Sequence, residues 1–216
     1  MLACHSHDPR EEITMGNPKI RILTVSGSAR PGNFTAKALE LVNDELGKDP
    51  AVGLDVIDLT QIALSLPGQE PTQDAERAAK LVTDATGVVL ATPEYHGSFS
   101  SGMKLMIDNL GFPSALSGKP VALLGVAAGQ IGAIKALEHL RSVCSHVGAI
   151  VLPGPVSVAG VNRVFDETGK CLDETIEKRI RGVATNLLDY IRGHICPRIA
   201  LEEIVRKSES NGVVGN

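Results

Sequence analysis

The stretch Ile20-Arg21-Ile22-Leu23-Thr24-Val25-Ser26-Gly27-Ser28-Ala29-Arg30-Pro31-Gly32-Asn33-Phe34-Thr35 decides how the chain is read. An apolar, β-branched run is followed by small and turn-forming residues, and then by Phe34, Ala38, Leu41, Val42 and Leu46 at helical spacing. That order is a strand, a loop and the start of a helix. Backbone N–H groups, the hydroxyls of Ser26, Ser28 and Thr35 and the Arg30 guanidinium meet where the helix dipole is positive, which suits a phosphate. The loop lacks the Gly-Lys-Ser/Thr of a Walker loop, and its glycines stand only at 27 and 32, which rules out the G-x-G-x-x-G pattern. The plainer alternative is a helix N-cap at Asn33 or Ser28 with Arg30 in solvent.

Downstream, short apolar runs alternate with amphipathic stretches. A second strand is expected at 53–59 and a helix at 74–84. A third strand follows at 87–92, ended by Pro93, then a helix at 101–110 and a fourth strand at 119–127. A helix at 131–147 carries Ile131, Ile134, Leu137, Leu140 and Cys144 on one face, with Gly148 placed to cap its C-terminus. A fifth strand at 149–152 precedes a small hairpin at 164–172 that turns at Asp166-Glu167-Thr168-Gly169, and the last strong helix spans 173–192. The fold class is therefore α/β, a doubly wound five-stranded parallel sheet with helices on both faces. In such sheets ligands sit at the carboxyl ends of the strands, which assigns the chemistry to the loops after strands one, three and four. Residues 1–18 read as a disordered extension, 19–196 as one domain and 197–216 as a short amphipathic piece with a mobile Ser/Asn/Gly tail.

Composition narrows the function classes. With 216 residues and a net charge of −4, the chain has no clustered basic surface of the kind that nucleic acid or anionic lipid requires, and its apolar runs are too short to cross a membrane. The four cysteines form no C-x-x-C pair, so neither a zinc site nor a disulfide framework is indicated, and free thiols in a reducing cytosol are expected. Residues 1–18 lack the apolar core of a secretory signal. His5, His7, His139, His146, His194 and Cys196 are assigned no role.

The second informative loop reads Thr92-Pro93-Glu94-Tyr95-His96-Gly97-Ser98-Phe99-Ser100-Ser101-Gly102, and a third lies at 125–132. Together with the first loop, they resemble the NAD(P)H-dependent FMN reductase family, which has a flavodoxin-like fold and includes quinone, chromate and azo-dye reductases. The resemblance spans about residues 19–192, and it implies the strand order 2-1-3-4-5. It also implies that Ser28, Arg30, Asn33, Phe34 and Thr35 grip the FMN phosphate, with Ser26 at the head of that loop. Pro93, Glu94, Tyr95, His96 and Gly97 then run along the isoalloxazine ring, and Ala128, Gly129 and Gln130 approach its other edge. His96 stands where the family usually has Asn, and Ser101-Gly102 replaces Pro-Gly.

In this reading the cofactor is FMN, the reductant NADPH or NADH, and the partner a small electron acceptor: a quinone, free flavin, a nitro or azo compound, or chromate. No side chain need act as a catalytic base, because the flavin carries the hydride chemistry. Tyr95 and His96 are candidate substrate contacts. A cytoplasmic homodimer or homotetramer is implied, joined through the 101–110 helix, where Lys104 and Asp108 form either an i,i+4 pair or contacts across subunits. Two other readings are a flavodoxin-type electron carrier with a protein partner and a nucleotide-binding module without turnover. The modest charge and the absence of Trp weigh against the carrier.

Overall fold

A computed structural model describes residues 20–199 together with 201, 202, 205 and 206. The proposed N-terminal extension and the Ser/Asn/Gly tail lie outside the described residues. The elements are β1 (Ile20–Ser26), α1 (Phe34–Gly47), β2 (Val52–Asp58), α2 (Gln73–Asp84), β3 (Gly87–Tyr95), β4 (Ser98–Phe99), α3 (Ser101–Asp108), β5 (Pro120–Val126), α4 (Ile134–His146), β6 (Ile150–Val151), β7 (Val156–Val158) and α5 (Glu174–Tyr190). The main sheet runs β2-β1-β3-β5-β6, and its four neighbour pairings are all parallel. Counting these five strands in chain order gives the expected order 2-1-3-4-5.

The strand sequences explain the layers. Successive side chains point to opposite faces, so Ile20 and Ile22 enter one core with Val89, Ala91 and Leu124, beneath α1 and α5. Leu23 and Val25 enter the other with Val88, Leu90 and Leu123, against α2, α3 and α4. Central β3 and β5 are buried on both faces, which is why they read as unbroken apolar runs. Edge strand β2 is mostly half-exposed. Thr24 is buried yet satisfied, because its hydroxyl donates to Asn43 Oδ1 of α1 at 2.9 Å.

Four expectations are corrected. Pro93 does not end the third strand. β3 continues to Tyr95 and turns back through His96-Gly97 into β4, an antiparallel hairpin in which Glu94 faces Phe99 and Tyr95 faces Ser98. Proline is tolerated because β1 pairs with β3 only as far as Ala91, so at Pro93 the strand pairs with β5 alone. The Thr92 hydroxyl accepts from Ser100 N and donates to Pro93 O, which closes the hairpin base. Second, α4 begins at Ile134, and Ile131 is 77% exposed in the preceding loop. Third, the fifth strand is split: β6 pairs with the start of β5 and β7 with its end. Fourth, helix continues past Pro197, with 196–199, 201, 202, 205 and 206 all helical. The small hairpin is present, with Phe165 bridged to Cys171 and Gly169 N donating to Asp166 O. Among the described residues no helix is long and apolar enough to cross a membrane.

Candidate functional site

Register brings the strand ends together: Ser26 lies beside Ala91, and Pro93 beside Val126. The loops after β1, β3, β5 and β7 therefore share one edge of the sheet. Gly27 N continues the ladder to Ala91 O at 2.8 Å, and the Ser100 hydroxyl donates to Gly27 O while accepting from Met103 N as the N-cap of α3. The first loop is thus fixed from the β3–α3 segment rather than by its own sequence.

Within it, Asn33 caps α1: its Oδ1 accepts from Ala36 N at 2.8 Å and its Nδ2 donates to Arg30 O at 2.7 Å. Ser28 is fully buried and its hydroxyl lies 3.3 Å from the Tyr95 hydroxyl. The Arg30 guanidinium sits 4.8 Å from the centre of the Tyr95 ring, in cation–π contact. Phe34 stacks on Phe165 at 6.5 Å, so the hairpin over the start of α1 is held by an aromatic pair. The Lys37 ammonium donates to Asp166 O and so fastens the same hairpin.

Two hydroxyls bracket this loop without satisfaction. Ser26 Oγ and Thr35 Oγ1 are buried and have no hydrogen-bond partner. The amides of Phe34 and Thr35, in the first turn of α1, likewise have no protein acceptor. Buried hydroxyls left unpaired cost about 1–3 kcal/mol each, so a native chain keeps them where a ligand completes them. A doubly charged phosphate, with its many acceptor oxygens, fits this donor set.

The second loop is a tight hairpin with His96 at φ 50° and Gly97 at φ 74°. Both central residues being left-handed defines a type I′ turn, for which Asn-Gly is the favoured pair. Histidine is among the few other side chains that tolerate this region, so His96 can occupy a position that favours Asn. Among the described residues, His96 is the one non-glycine with positive φ.

The hairpin is clamped to α4. Glu94 Oε2 accepts from Ala136 N at 3.0 Å, and Ser98 Oγ lies 3.0 Å from His139 Nδ1. The residue before α4, Ala133, supplies no side-chain cap, so the helix is capped by distant residues: Glu94 on Ala136 N and Ser157 Oγ on Ala133 N at 2.8 Å. Gly125 permits the close approach, since a Cβ there would lie 2.7 Å from Ala133 Cβ. The third loop is held against β7, with Ala127 N donating to Val158 O, Val161 N to Ala127 O and Gly160 N to Gly129 O. Ala128, Gly129 and Gln130 remain exposed, and their amides have no protein acceptor.

All fourteen residues singled out in the sequence lie in these three loops or at the strand and helix ends that border them. The sequence reading missed Ser100, Ser157 and His139. Ser100 carried a usable signal, an N-cap hydroxyl three residues before Met103. Ser157 and His139 carried none, because their partners are far away in sequence. Among the described residues no group of three or more His, Cys, Asp or Glu side chains is placed to hold a metal ion.

A parallel sheet in this order, with two unpartnered hydroxyls beside the loop at its carboxyl edge, defines a flavodoxin-like α/β protein. The solved structure of the flavoenzyme NAD(P)H:acceptor oxidoreductase FerB from Paracoccus denitrificans superposes with a TM-score of 0.68 at 21% identity, covering 81% of this chain and 98% of that one. The profile of the NADPH-dependent FMN reductase family matches residues 20–162, and the chain belongs to that family. It is 31% identical over 185 residues to the quinone reductase of Escherichia coli K12, covering 81% of this chain and 96% of the relative. It is also 32% identical over 155 residues to an NADPH azoreductase of a Bacillus species, covering 70% of this chain and 83% of that protein. The chain is accordingly an FMN-dependent NAD(P)H oxidoreductase.

Proposed function

We propose that Ser26, Ser28, Arg30, Asn33, Phe34 and Thr35 hold the FMN phosphate, that 93–97 line the isoalloxazine ring, and that Ala128, Gly129 and Gln130 meet its far edge. The observation that carries this is the pair of buried, partnerless hydroxyls, Ser26 Oγ and Thr35 Oγ1, at either end of the first loop. Bound FMN supplies the capacity to take up a hydride and pass it on. The chain supplies position and polarity. The outward amides of 128–130 offer donors where negative charge develops on a ring edge. The hairpin presents backbone from 93–97 as a wall fixed by Glu94 and His139. Arg30 and Tyr95 stack on each other and bridge the phosphate loop to that wall.

The substrates of the related quinone reductase and azoreductase support a small quinone or azo acceptor. The chain works as a cytoplasmic dimer or dimer of dimers. Among the described residues Cys144, Cys171 and Cys196 are free thiols, which suits a reducing compartment. Helix α3 is the contact, and Phe112, fully exposed just beyond it, supports an interface there. Lys104 and Asp108 pair at 2.6 Å along that helix.

The deciding experiment is anaerobic titration of the FMN-loaded protein with NADPH and NADH, followed by flavin absorbance. Stoichiometric bleaching, reversed by a quinone, is the expected result. Bound flavin that neither nucleotide bleaches would overturn the proposal in favour of an electron carrier.

A further inference from the structure

Beside the third loop lies a cavity of about 340 Å³ that shares Gln130 with the flavin assignment and otherwise lies beyond it. Gln130, Gly160, Arg163, Leu172 and Asp173 are among the residues that line it. Its floor is continuous with the ring-edge loop, because Gly160 N donates to Gly129 O and Arg163 N to Gly160 O. We propose that Arg163, with Gln130, anchors the 2′-phosphate of NADPH and so sets a preference for NADPH over NADH; this deepens, and rests on, the flavin-reductase reading.

Charge accounting selects Arg163. Of the cations around the site, Arg30 lies over the Tyr95 ring and is assigned to the FMN phosphate, and Lys37 is bonded to the carbonyl oxygens of Asp166 and Glu167. The cavity's carboxylate, Asp173, directs Oδ1 to Thr175 N and Ile176 N as the N-cap of α5, where the helix dipole offsets part of its charge. The guanidinium of Arg163 is exposed and takes part in none of the ion pairs or side-chain hydrogen bonds of the described residues. It lies along the Gly160 backbone, where a Cβ would come within 3.6 Å of Nη2. A planar guanidinium is the side chain best shaped to take two phosphate oxygens at once. The Gln130 amide adds a donor, and Ile131, 77% exposed and next in the chain, offers an apolar surface for a purine face. The volume is at the lower end of ligand pockets, roughly 300–1,000 Å³, and suits a phosphorylated ribose rather than a whole dinucleotide. Lys135, also free of ion pairs, stands over the hairpin turn near Gly97 and serves as the control.

The test compares wild type, Arg163→Gln, Arg163→Lys and Lys135→Gln. The ratio of kcat/KM for NADPH over NADH is expected to favour NADPH in wild type and to fall about 10- to 100-fold in Arg163→Gln, the loss of one charge-assisted pair. Arg163→Lys should recover part of it. Calorimetric binding of adenosine 2′,5′-bisphosphate against adenosine 5′-phosphate, on protein without turnover, should show the same loss in Arg163→Gln. An unchanged ratio in that variant, an equal fall for both nucleotides, a fall in Lys135→Gln instead, or a wild-type preference for NADH each overturns the proposal and leaves the flavin-reductase reading standing. Flavin that neither nucleotide bleaches overturns both.

Discussion

Replacing Glu94 tests whether the hairpin and α4 are one unit. Its carboxylate accepts from Ala136 N at 3.0 Å, in the first turn of a helix whose own N-cap residue, Ala133, makes no side-chain cap. Loss of an N-cap acceptor costs about 1 kcal/mol, and loss of a negative charge at a helix N-terminus about 0.3–1 kcal/mol more. Glu94→Ala should therefore destabilise the apo protein by about 1.5–2 kcal/mol. For a domain of this size that lowers Tm by about 3–8 °C. Glu94→Gln retains an acceptor oxygen and loses only the charge, so it should lower Tm by no more than about half as much. Because the same contact fixes 93–97, Glu94→Ala should also weaken FMN binding more than Glu94→Gln does. Thermal unfolding by circular dichroism and FMN titration by fluorescence quenching read both quantities. Equal Tm shifts for Ala and Gln, or a Glu94→Ala protein that melts with wild type, would refute the capping argument.

Other outcomes follow from the same geometry. Ser28→Ala with Arg30→Ala should raise the FMN Kd by at least about tenfold, the loss of one charge-assisted hydrogen bond, while far-ultraviolet circular dichroism stays unchanged; an unaltered Kd would disprove the phosphate assignment. At φ 50°, His96→Asn should keep flavin and stability while changing acceptor turnover. His96→Val should cost about 1–2 kcal/mol in strain, measured by urea unfolding. Burial pushes the Cys144 thiol up to about 12, so at pH 8 it stays protonated. Mass analysis after iodoacetamide should show half-buried Cys196 modified well before Cys144, and rapid labelling of Cys144 in the native state would contradict its burial.

What could be read from sequence divides along local and distant causes. β1 was legible to the residue, because its apolar run, its loop and the Asn33 cap are contiguous. The start of α4 was not: its caps come from Glu94, 42 residues before Ala136, and from Ser157, 24 residues after Ala133. With no cap nearby, the exposed Ile131 passed for the first residue of an apolar stripe. β7, three residues long, carries too little periodicity to be recognised and exists because β5 offers its upper end as a template. Pro93 reads as a stop because proline cannot donate to a ladder; the donor is dispensable because β1 has already ended beside Ala91. The first loop was legible as a strand-to-helix connection for the same reason as β1. The clamp of Glu94, Ser98 and His139 was not, since it joins residues that meet only in three dimensions.

The capping of α4 by Ser157 has a consequence for how the chain emerges during synthesis. When residue 126 has left the ribosome, every strand around the phosphate loop is present, but the loop at 127–133 still lacks β7 and the hydroxyl that caps its helix. The hairpin over α1, with Phe165 and Asp166, comes later still. Nascent chains halted before residue 157 would thus lack both the Ser157 cap of α4 and the β7 support of the third loop. On the proposed assignment of these loops to FMN, the last stretch of translation decides when the flavin can be captured.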